Sequence, residues 1–540
     1  MRSLVRLAAT LALLAAALLP QGCARRESAV EASLRTQTLV LGNGADPADM
    51  DPHTVTAFTD MNIMVALFEG LTVLDEASSA PLPGRAASWA TSPDGLTWTF
   101  KLRDDATWSN GDPLTAEDFV YSFRRVLSPG LASEYAYMLW PLRGAKDLSE
   151  GREKDPAKLG ARALDAHTLE LTLEAPCPWL LTLVSNQAWF PVHRATIEKF
   201  GRTDERGTRW TRPENLVCNG PFTLSEWSPG ARVVVAANPR YKDPARSALR
   251  KVVFLPNESL SADELAFRNG QQHATYDLSP EKLDAYRRNA PALLRVDPFY
   301  ETFFIRLNTA KPPLSDARVR RALALSIDRR ALCSGVLRDS RVPAFSLVPP
   351  GAGYVSENRI QEDAVLARAL LEEAGFPGGK GFPRLEVQLK GDDIHRSVME
   401  ALQQMWKTQL GIEVALAPLE QKTWLANQAS TDYHLTTSRW IGDFLDANTF
   451  LDLFLSTGGK NQTNWKNGEY DALVNQAAST ADDKARHAAQ AKAEQRLTEE
   501  MPIIPIFHGT RTYLLDARVV NWPPSLLGLR RYQYVRLENK

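Results

Sequence analysis

The chain contains 540 residues, 44% of them hydrophobic and 24% charged, and its formal net charge is −1. This composition is that of a soluble globular protein, and the length exceeds one ordinary core, so we predict two or three domains. The nearly neutral charge leaves no electrostatic footprint for binding a nucleic acid, and we expect no such partner.

The N-terminus, residues 1–22, is predicted to be a signal peptide. Basic residues precede an apolar run over residues 7–19, which is shorter than the ~20 residues that a membrane-spanning helix needs. A small residue before Cys23 is typical of a bacterial lipoprotein cleavage site. We therefore expect acylation of Cys23 and a lipid-anchored tether over residues 23–36 that holds the protein at a membrane. The alternative is an ordinary signal peptide cut nearby, and both interpretations predict a periplasmic or other extracytoplasmic location.

The remaining cysteines are Cys177, Cys218 and Cys333. Cys177 and Cys218 could form a disulfide in an oxidising compartment, and the sequence leaves this pairing open. Cys333 lies in a helical pattern and is predicted to be a small core residue.

The first predicted elements are a short strand over residues 38–42 and a helix over residues 61–71, where apolar residues recur at helical spacing. Between them lie three aspartates, Asp46, Asp49 and Asp51. Their spacing lacks the glycine and the closing glutamate of a calcium loop. We therefore predict a solvated loop here and no metal site.

Residues 94–125 predict a hairpin followed by a helix. Apolar and polar residues alternate over residues 96–102, as a strand with one buried face requires. Residues 110–111, Asn-Gly, form a turn pair, and Thr115 followed three residues later by Asp118 is a capping-box-like helix start.

A β-rich region continues to about Pro191, and from about Arg295 helices alternate with strands, which implies α/β layers. The further predicted strands are 169–173, one opened by residues 219–222, 233–235, 252–255, 303–307, 385–389, 412–416, 433–437, 503–506 and 512–515. The further predicted helices are one capped by Ser315, 363–374 and 395–409.

Several strings in this order resemble the extracytoplasmic solute-binding proteins of the peptide/nickel transporter family, above all its oligopeptide-binding members. The strings are DGLTWTFKLRDDATWSNGDPLTAEDFVYSFRR at 94–125, LFEGL at 67–71, NGPF at 219–222, DARVRRAL at 316–323 and IDR at 327–329. The resemblance implies an α/β fold of the type II periplasmic-binding-protein kind. Such a fold is bilobal, has three domains and holds its ligand in a cleft between the lobes.

By that likeness, residues 37–68, 193–295 and 509–540 form lobe I, residues 69–192 an inserted second domain, and residues 296–508 lobe II. The crossovers between the lobes then fall near 294–298 and 508–512. The resemblance also implies that the protein binds oligopeptides and delivers them to the membrane permease of an ABC importer, which separate ATPase subunits drive. We expect a monomer that uses no cofactor and is not an enzyme.

The segment Trp440-Ile441-Gly442-Asp443 is the predicted ligand site. A Trp and an Asp three apart across a glycine could place an aromatic face and a carboxylate around one cation. From the residues alone, Asp443 could equally be a turn or cap residue. The resemblance implies that Asp443 holds the free amino terminus of the ligand and that Trp440 lines a side-chain pocket.

The resemblance also implies that Tyr135 and Tyr137 face the ligand's amine and that the chain at Phe58 offers backbone groups to a peptide. Phe58 could instead be a core residue. Residues 427–430 carry none of the cations that oligopeptide binders present to the ligand's carboxyl end, and Arg439 could compensate for them. We therefore expect a ligand with a free α-amine and an unusual far end.

A secreted hydrolase is the main alternative of another class, but the chain contains neither H-E-x-x-H nor G-x-S-x-G. The tripeptides Gly-Gly-Lys at 378–380 and 458–460 are only fragments of a phosphate loop. A binder of a different ligand on the same fold, such as a murein tripeptide or a dipeptide, remains open, as does a lipoprotein that acts as a sensor or an adhesin.

Overall fold

The structure is a computed structural model that describes residues 27–243 and 245–539. The predicted signal peptide and Cys23 lie outside the described residues. Within them, three larger sheets each have a hydrophobic core of their own, and helices pack around the sheets. No helix of the described part combines the length and the apolar character that crossing a bilayer requires.

The first sheet joins an early strand to strands from much later in the chain, and its one parallel pair is 38–44 with 251–256. In spatial order its strands are Thr38–Gly44, Lys251–Pro256, Arg232–Ala237 and Phe222–Ser228. The helices associated with it are Ala29–Thr36, Phe58–Leu67, Arg194–Phe200, Leu260–Arg268 and Leu283–Asn289. The strand prediction at 233–235 is confirmed, and Val233 and Val235 lie in the core with Ile63 and Met64 of the early helix.

The second sheet is antiparallel throughout, and its core is made only of residues between Leu71 and Trp189. In spatial order its strands are Ala86–Thr91, Thr97–Leu102, Thr168–Thr172 and Ala161–Asp165. Its helices are Ala116–Val126, Ala145–Ser149 and Leu180–Leu183. The predicted capping box is confirmed, because Thr115 and Asp118 satisfy each other's backbone at the start of the first of these helices.

The third sheet is mixed and has six strands. In spatial order they are Val342–Pro343, Ile503–Leu514, Leu294–Leu307, Leu435–Ile441, Leu385–Lys390 and Val414–Leu419. Its helices are Ala317–Leu325, Arg329–Ala331, Ala364–Glu373, Asp393–Leu410, Gln421–Ala429, Asn448–Leu451, Gly468–Ala478 and Asp483–Glu500. Phe303 and Ile305 point into one core and Phe304 into another, as the two-residue period of a strand requires. Both faces of the sheet are therefore covered.

Two long strands of the third sheet connect it to the first. Leu294–Leu307 and Ile503–Leu514 run antiparallel, and their register shifts between Pro298 and Thr302. At one end, Leu514 accepts a hydrogen bond from the backbone of Thr275, close to the first sheet. The two regions expected to hold crossovers thus belong to one continuous pair of hydrogen-bonded strands. The two separate strands predicted over 503–515 are likewise a single strand.

Two short two-stranded sheets complete the strand inventory of the described residues. They pair Thr72–Leu74 with Pro81–Pro83 and Val519–Val520 with Arg536–Leu537.

The structure corrects the assignment of residues 29–36 to a tether. Ala29–Thr36 form a helix that begins with a capping box between Ser28 and Glu31. Val30 is buried and its backbone donates a hydrogen bond to the carbonyl of Gly270. A helix propagates here because its first turn is capped and one face of it packs on the fold. A second correction concerns the helix at 317–325, which Asp316 caps rather than Ser315.

The cysteines and the acidic loop also differ from the expectation in part. Cys177 and Cys218 are free and lie in different cores, so they do not form the disulfide that the sequence left open, and Cys333 is buried as predicted.

Asp51, expected in a solvated loop, is completely buried and forms a bidentate ion pair with Arg125 of the second sheet's first helix. The two oxygen–nitrogen distances of this pair are 3.0 and 2.6 Å.

Candidate functional site

A cavity of about 510 Å³ lies where the three sheets meet. Its wall includes Phe58 beside the first sheet, Tyr135 from the second sheet's domain, and Arg439 from the third sheet. Arg511, on one of the two long connecting strands, contributes as well. A ligand in this cavity therefore contacts all three parts of the molecule at once, as a cleft between lobes allows.

The segment Trp440-Ile441-Gly442-Asp443 brings a carboxylate to the wall of the cavity. Strand Leu435–Ile441 ends immediately before Gly442, whose backbone donates a 2.8 Å hydrogen bond to the carbonyl of Tyr300. A Cβ atom at Gly442 would lie 2.4 Å from the Tyr300 ring, so only glycine fits between the strand end and this ring. The backbone of Asp443 in turn donates to Thr449 at 2.9 Å. These bonds hold the backbone of Gly442 and Asp443 in place at the wall of the cavity.

Asp443 is an enclosed carboxylate with one nearby cation. Its side chain is 18% exposed, and Oδ2 lies 3.8 Å from the Nζ atom of Lys460. Burial raises the pKa of Asp443, and the charge of Lys460 and a hydrogen bond from Tyr137 oppose this rise. The carboxyl group therefore binds protons more readily than an exposed aspartate, while its neighbours favour the charged form.

Trp440 and Tyr137 face this cation rather than the open cavity. The Lys460 ammonium lies 4.3 Å from the ring centroid of Trp440 and 4.8 Å from that of Tyr137. Arg439 and Ile441, on the opposite side of the strand, line the cavity itself. In the structure Trp440 and Asp443 flank the ammonium of Lys460, a residue of the same chain, so the cation that they surround here is not a ligand's amine.

Tyr135 and Tyr137 form an aromatic wall beside the carboxylate. Their rings stack with centroids 5.9 Å apart, and a short helical turn, 136–139, places both on one side of the chain. Burial, with the Asp443 charge as a second cause, raises the pKa of Tyr135 to about 12. The same two causes also raise the pKa of Tyr137. Both phenols are thus neutral hydrogen-bond donors at physiological pH.

Phe58 and Arg439 both lie at the cavity. Phe58 begins helix Phe58–Leu67, contacts the edge of Phe299, and has the guanidinium of Arg511 stacked 4.5 Å from its ring centroid. Arg439 is 58% exposed and forms an ion pair with Glu301 at 3.3 Å. The seven predicted ligand-binding residues therefore lie around the cavity or the Lys460 ammonium.

Three cations of the site were not predicted from the sequence: Arg341 and Arg511, which line the cavity, and Lys460, which contacts Asp443 and Trp440. Residues 427–430, where a cation was expected, do not line the cavity, and Asn427 donates a hydrogen bond to Gln388. The only signal for Lys460 was the Gly-Gly-Lys string, which was considered as an incomplete phosphate loop. Among the described residues, no cluster of His, Cys, Asp or Glu could hold a metal ion.

Comparison with known proteins agrees with this architecture. The chain is 34% identical over 498 residues to the periplasmic oligopeptide-binding protein OppA of Escherichia coli, a match that covers 90% of this chain and 88% of the relative. It is 33% identical over 511 residues to the periplasmic murein peptide-binding protein MppA of the same organism, covering 92% and 93%.

Among solved structures, the unliganded open form of the murein tripeptide-binding protein MppA superposes with a TM-score of 0.83 at 32% identity, covering 93% of this chain and 97% of that one. This similarity confirms the predicted mixed α/β fold with two lobes and a cleft. The model of the bacterial extracellular solute-binding proteins, family 5, matches residues 80–462, well over half of the chain. The resemblance seen in the sequence is therefore confirmed, and the chain belongs to the family 5 bacterial extracellular solute-binding proteins.

Proposed function

We propose that this protein binds oligopeptides in the cavity between its sheets and delivers them to an ABC importer, made of a membrane permease and ATPase subunits. The observation that carries the proposal is the enclosed carboxylate of Asp443, which Tyr137 and Trp440 flank. A carboxylate set among aromatic rings is the complement of a single ammonium group, and every unblocked peptide carries one at its amino end.

In the proposed complex the ligand's α-ammonium donates hydrogen bonds to Asp443. Tyr135 and Tyr137 shield this contact from water, which strengthens it because the effective dielectric constant falls. The rest of an extended peptide then makes main-chain hydrogen bonds, for which the chain at Phe58 is the proposed partner in the first lobe. Main-chain bonding does not depend on side-chain identity, so we expect the protein to accept many sequences.

The cavity's arginines are the proposed partners of the ligand's other end. Arg341, Arg439 and Arg511 line the cavity, and Glu301 and Asp277 offset part of their charge. Arg439 is paired with Glu301 and is more than half exposed, so it is free to turn toward a ligand. These three cations take the place of those that residues 427–430 lack.

Ligand capture is proposed to close the lobes. A ligand that contacts both lobes makes its full set of contacts only in the closed form, so it shifts the equilibrium toward that form. The closed complex is then the species that the permease recognises. The lobe boundaries assigned from the sequence, 37–68 with 193–295 and 509–540, 69–192, and 296–508, are the units that we propose to move.

A murein peptide is a second candidate ligand, because a relative at 33% identity is named for binding one. Such a peptide also offers a free amine together with an unusual far end. We further propose that the protein acts as a monomer without catalysis, and that acylated Cys23 anchors it to a membrane.

Mass spectrometry of the ligands that co-purify with the protein, released by denaturation, tests the proposal. Peptides with free amino termini are the expected result. If those peptides contain the amino acids that form cross-links in murein, the ligand is the murein peptide. A chelated metal, a haem or a sugar in place of peptides would overturn the proposed function.

A further inference from the structure

The ammonium group of Lys460 lies among the carboxylate of Asp443 and the rings of Trp440 and Tyr137. Its Nζ atom lies 3.8 Å from Oδ2 of Asp443, 4.3 Å from the centroid of Trp440 and 4.8 Å from that of Tyr137. One carboxylate and two aromatic faces thus surround one positive charge. This is the same arrangement that the proposed function assigns to the amino terminus of a ligand.

The backbone that carries Lys460 is fixed. Its carbonyl accepts a 3.2 Å hydrogen bond from the guanidinium of Arg306, which is itself buried. The side-chain amide of the next residue, Asn461, donates to the carbonyls of Phe454 and Trp465 at 3.1 and 2.9 Å. These bonds hold the backbone at Lys460, so rotation of the side chain moves the ammonium out of its site without moving the loop.

The exposure of the Lys460 side chain favours its rotation into water. The Lys460 side chain is 51% exposed, whereas the Asp443 side chain is 18% exposed. The lysine can therefore move its charge into water without further burial, while the carboxylate stays enclosed. At 3.8 Å the contact is also longer than a good charge-assisted hydrogen bond, which measures roughly 2.7–2.9 Å, so a ligand's ammonium can bind closer.

We propose that Lys460 is an intrinsic occupant of the ammonium subsite and a specificity-determining residue. A free α-ammonium displaces the lysine, whereas a ligand whose amino end is blocked binds with the lysine left in place. This inference rests on the proposed function, because it concerns how that same subsite selects its ligands.

The lysine acts on the two classes of ligand in opposite directions. A free-amine ligand must compete with a tethered ammonium, so its apparent affinity equals its intrinsic affinity multiplied by the fraction of time that the subsite is vacant. A blocked ligand would bury an unpaired carboxylate if no lysine were present, and an unpaired buried charge is strongly unfavourable. With Lys460 in place, that carboxylate keeps a partner. Lys460 therefore reduces the difference in affinity between ligands with a free amine and ligands with a blocked one.

Calorimetry with trialanine and N-acetyl-trialanine tests this inference on the full-length protein. The variant is Lys460→Met, because methionine keeps the length and the packing on Trp440 but removes the charge. If the lysine occupies the subsite nine-tenths of the time, trialanine should bind the variant about tenfold more tightly than wild type. N-acetyl-trialanine should bind it more weakly than wild type, so the ratio of the two dissociation constants should rise by at least about tenfold.

Lys466→Met is the matched control, because Lys466 is exposed, lies six residues along the chain and does not line the cavity. It should leave both dissociation constants unchanged, and thermal unfolding should verify that both variants fold. An unchanged ratio in Lys460→Met, with trialanine still bound, would overturn the role of the lysine and leave the proposed function standing. If neither peptide bound the wild-type protein or either variant, the peptide-binding function itself would be overturned.

Discussion

The substitution Asp443→Asn tests the subsite for the ligand's amine. Asparagine keeps the size of the side chain, and the backbone bond to Thr449 is unaffected, so the main change is the loss of one charge. A hydrogen bond to a charged group is worth about 1.5–3 kcal/mol. The low exposure of this carboxylate favours the upper end, but the wild-type ligand must also displace Lys460, which lowers the net loss. We expect about 1.5–2 kcal/mol, or roughly 10- to 30-fold weaker binding of a free-amine peptide.

Isothermal calorimetry with free and N-acetylated trialanine measures this loss. The acetylated peptide should lose less than about threefold, because it makes no charged contact with position 443. Asp432→Asn is the matched control, since Asp432 is an exposed carboxylate near Lys311 that does not line the cavity. Equal losses for the two peptides, or no loss for either, would refute the reasoning. Because burial raises the pKa of Asp443, affinity for the free-amine peptide should fall on acidification sooner than an ordinary aspartate would dictate.

Two further substitutions probe the structure that supports the site. Gly442→Ala places a Cβ atom 2.4 Å from the ring of Tyr300 and should lower the free energy of unfolding by about 1–3 kcal/mol, whereas Gly459→Ala, with no neighbouring atom within 4 Å, should cost little. Equal urea midpoints for the two would contradict the proposed clash. Asp51→Asn strands the buried guanidinium of Arg125 and should cost about 3–5 kcal/mol. Burial raises the pKa of Asp51, but the charge of Arg125 and its hydrogen bonds lower it overall, so this stabilisation is present above the ordinary aspartate pKa and is lost as pH falls through the lowered value. If the midpoints of urea and acid unfolding were unchanged in Asp51→Asn, the predicted stabilisation by the Asp51–Arg125 ion pair would be refuted.

Local patterns predicted the fold well where the physical cause is itself local. The capping box of Thr115 and Asp118 and the alternating strand that precedes it were readable because every partner lies within a few residues. Asp51 was not readable in this way, because its partner Arg125 is 74 positions away and only the folded chain brings them together. A carboxylate without a local partner looks solvated in the sequence.

The candidate site was predictable to the same extent. Asp443 and Trp440 share one short segment, so their closeness to each other could be anticipated from spacing. Lys460 belongs to a separate loop, and its contact with both residues depends on how that loop packs on Arg306. No periodicity or motif reports such packing, which is why the lysine emerged only from the three-dimensional arrangement.

The shift in register between the two long strands has a mechanical consequence. Residues 299–301 are skipped by the ladder between Leu294–Leu307 and Ile503–Leu514, and Pro298, at its margin, has no N–H to donate. The ladder between the two strands is therefore interrupted there, and the N–H of Tyr300 donates outside it, to the carbonyl of Leu526 at 2.9 Å. The carbonyl of Tyr300, inside the skipped stretch, accepts the hydrogen bond from Gly442, one residue before Asp443. A bend of the two strands at this interruption would therefore act on the backbone next to Asp443 through one hydrogen bond, with no intervening side chain.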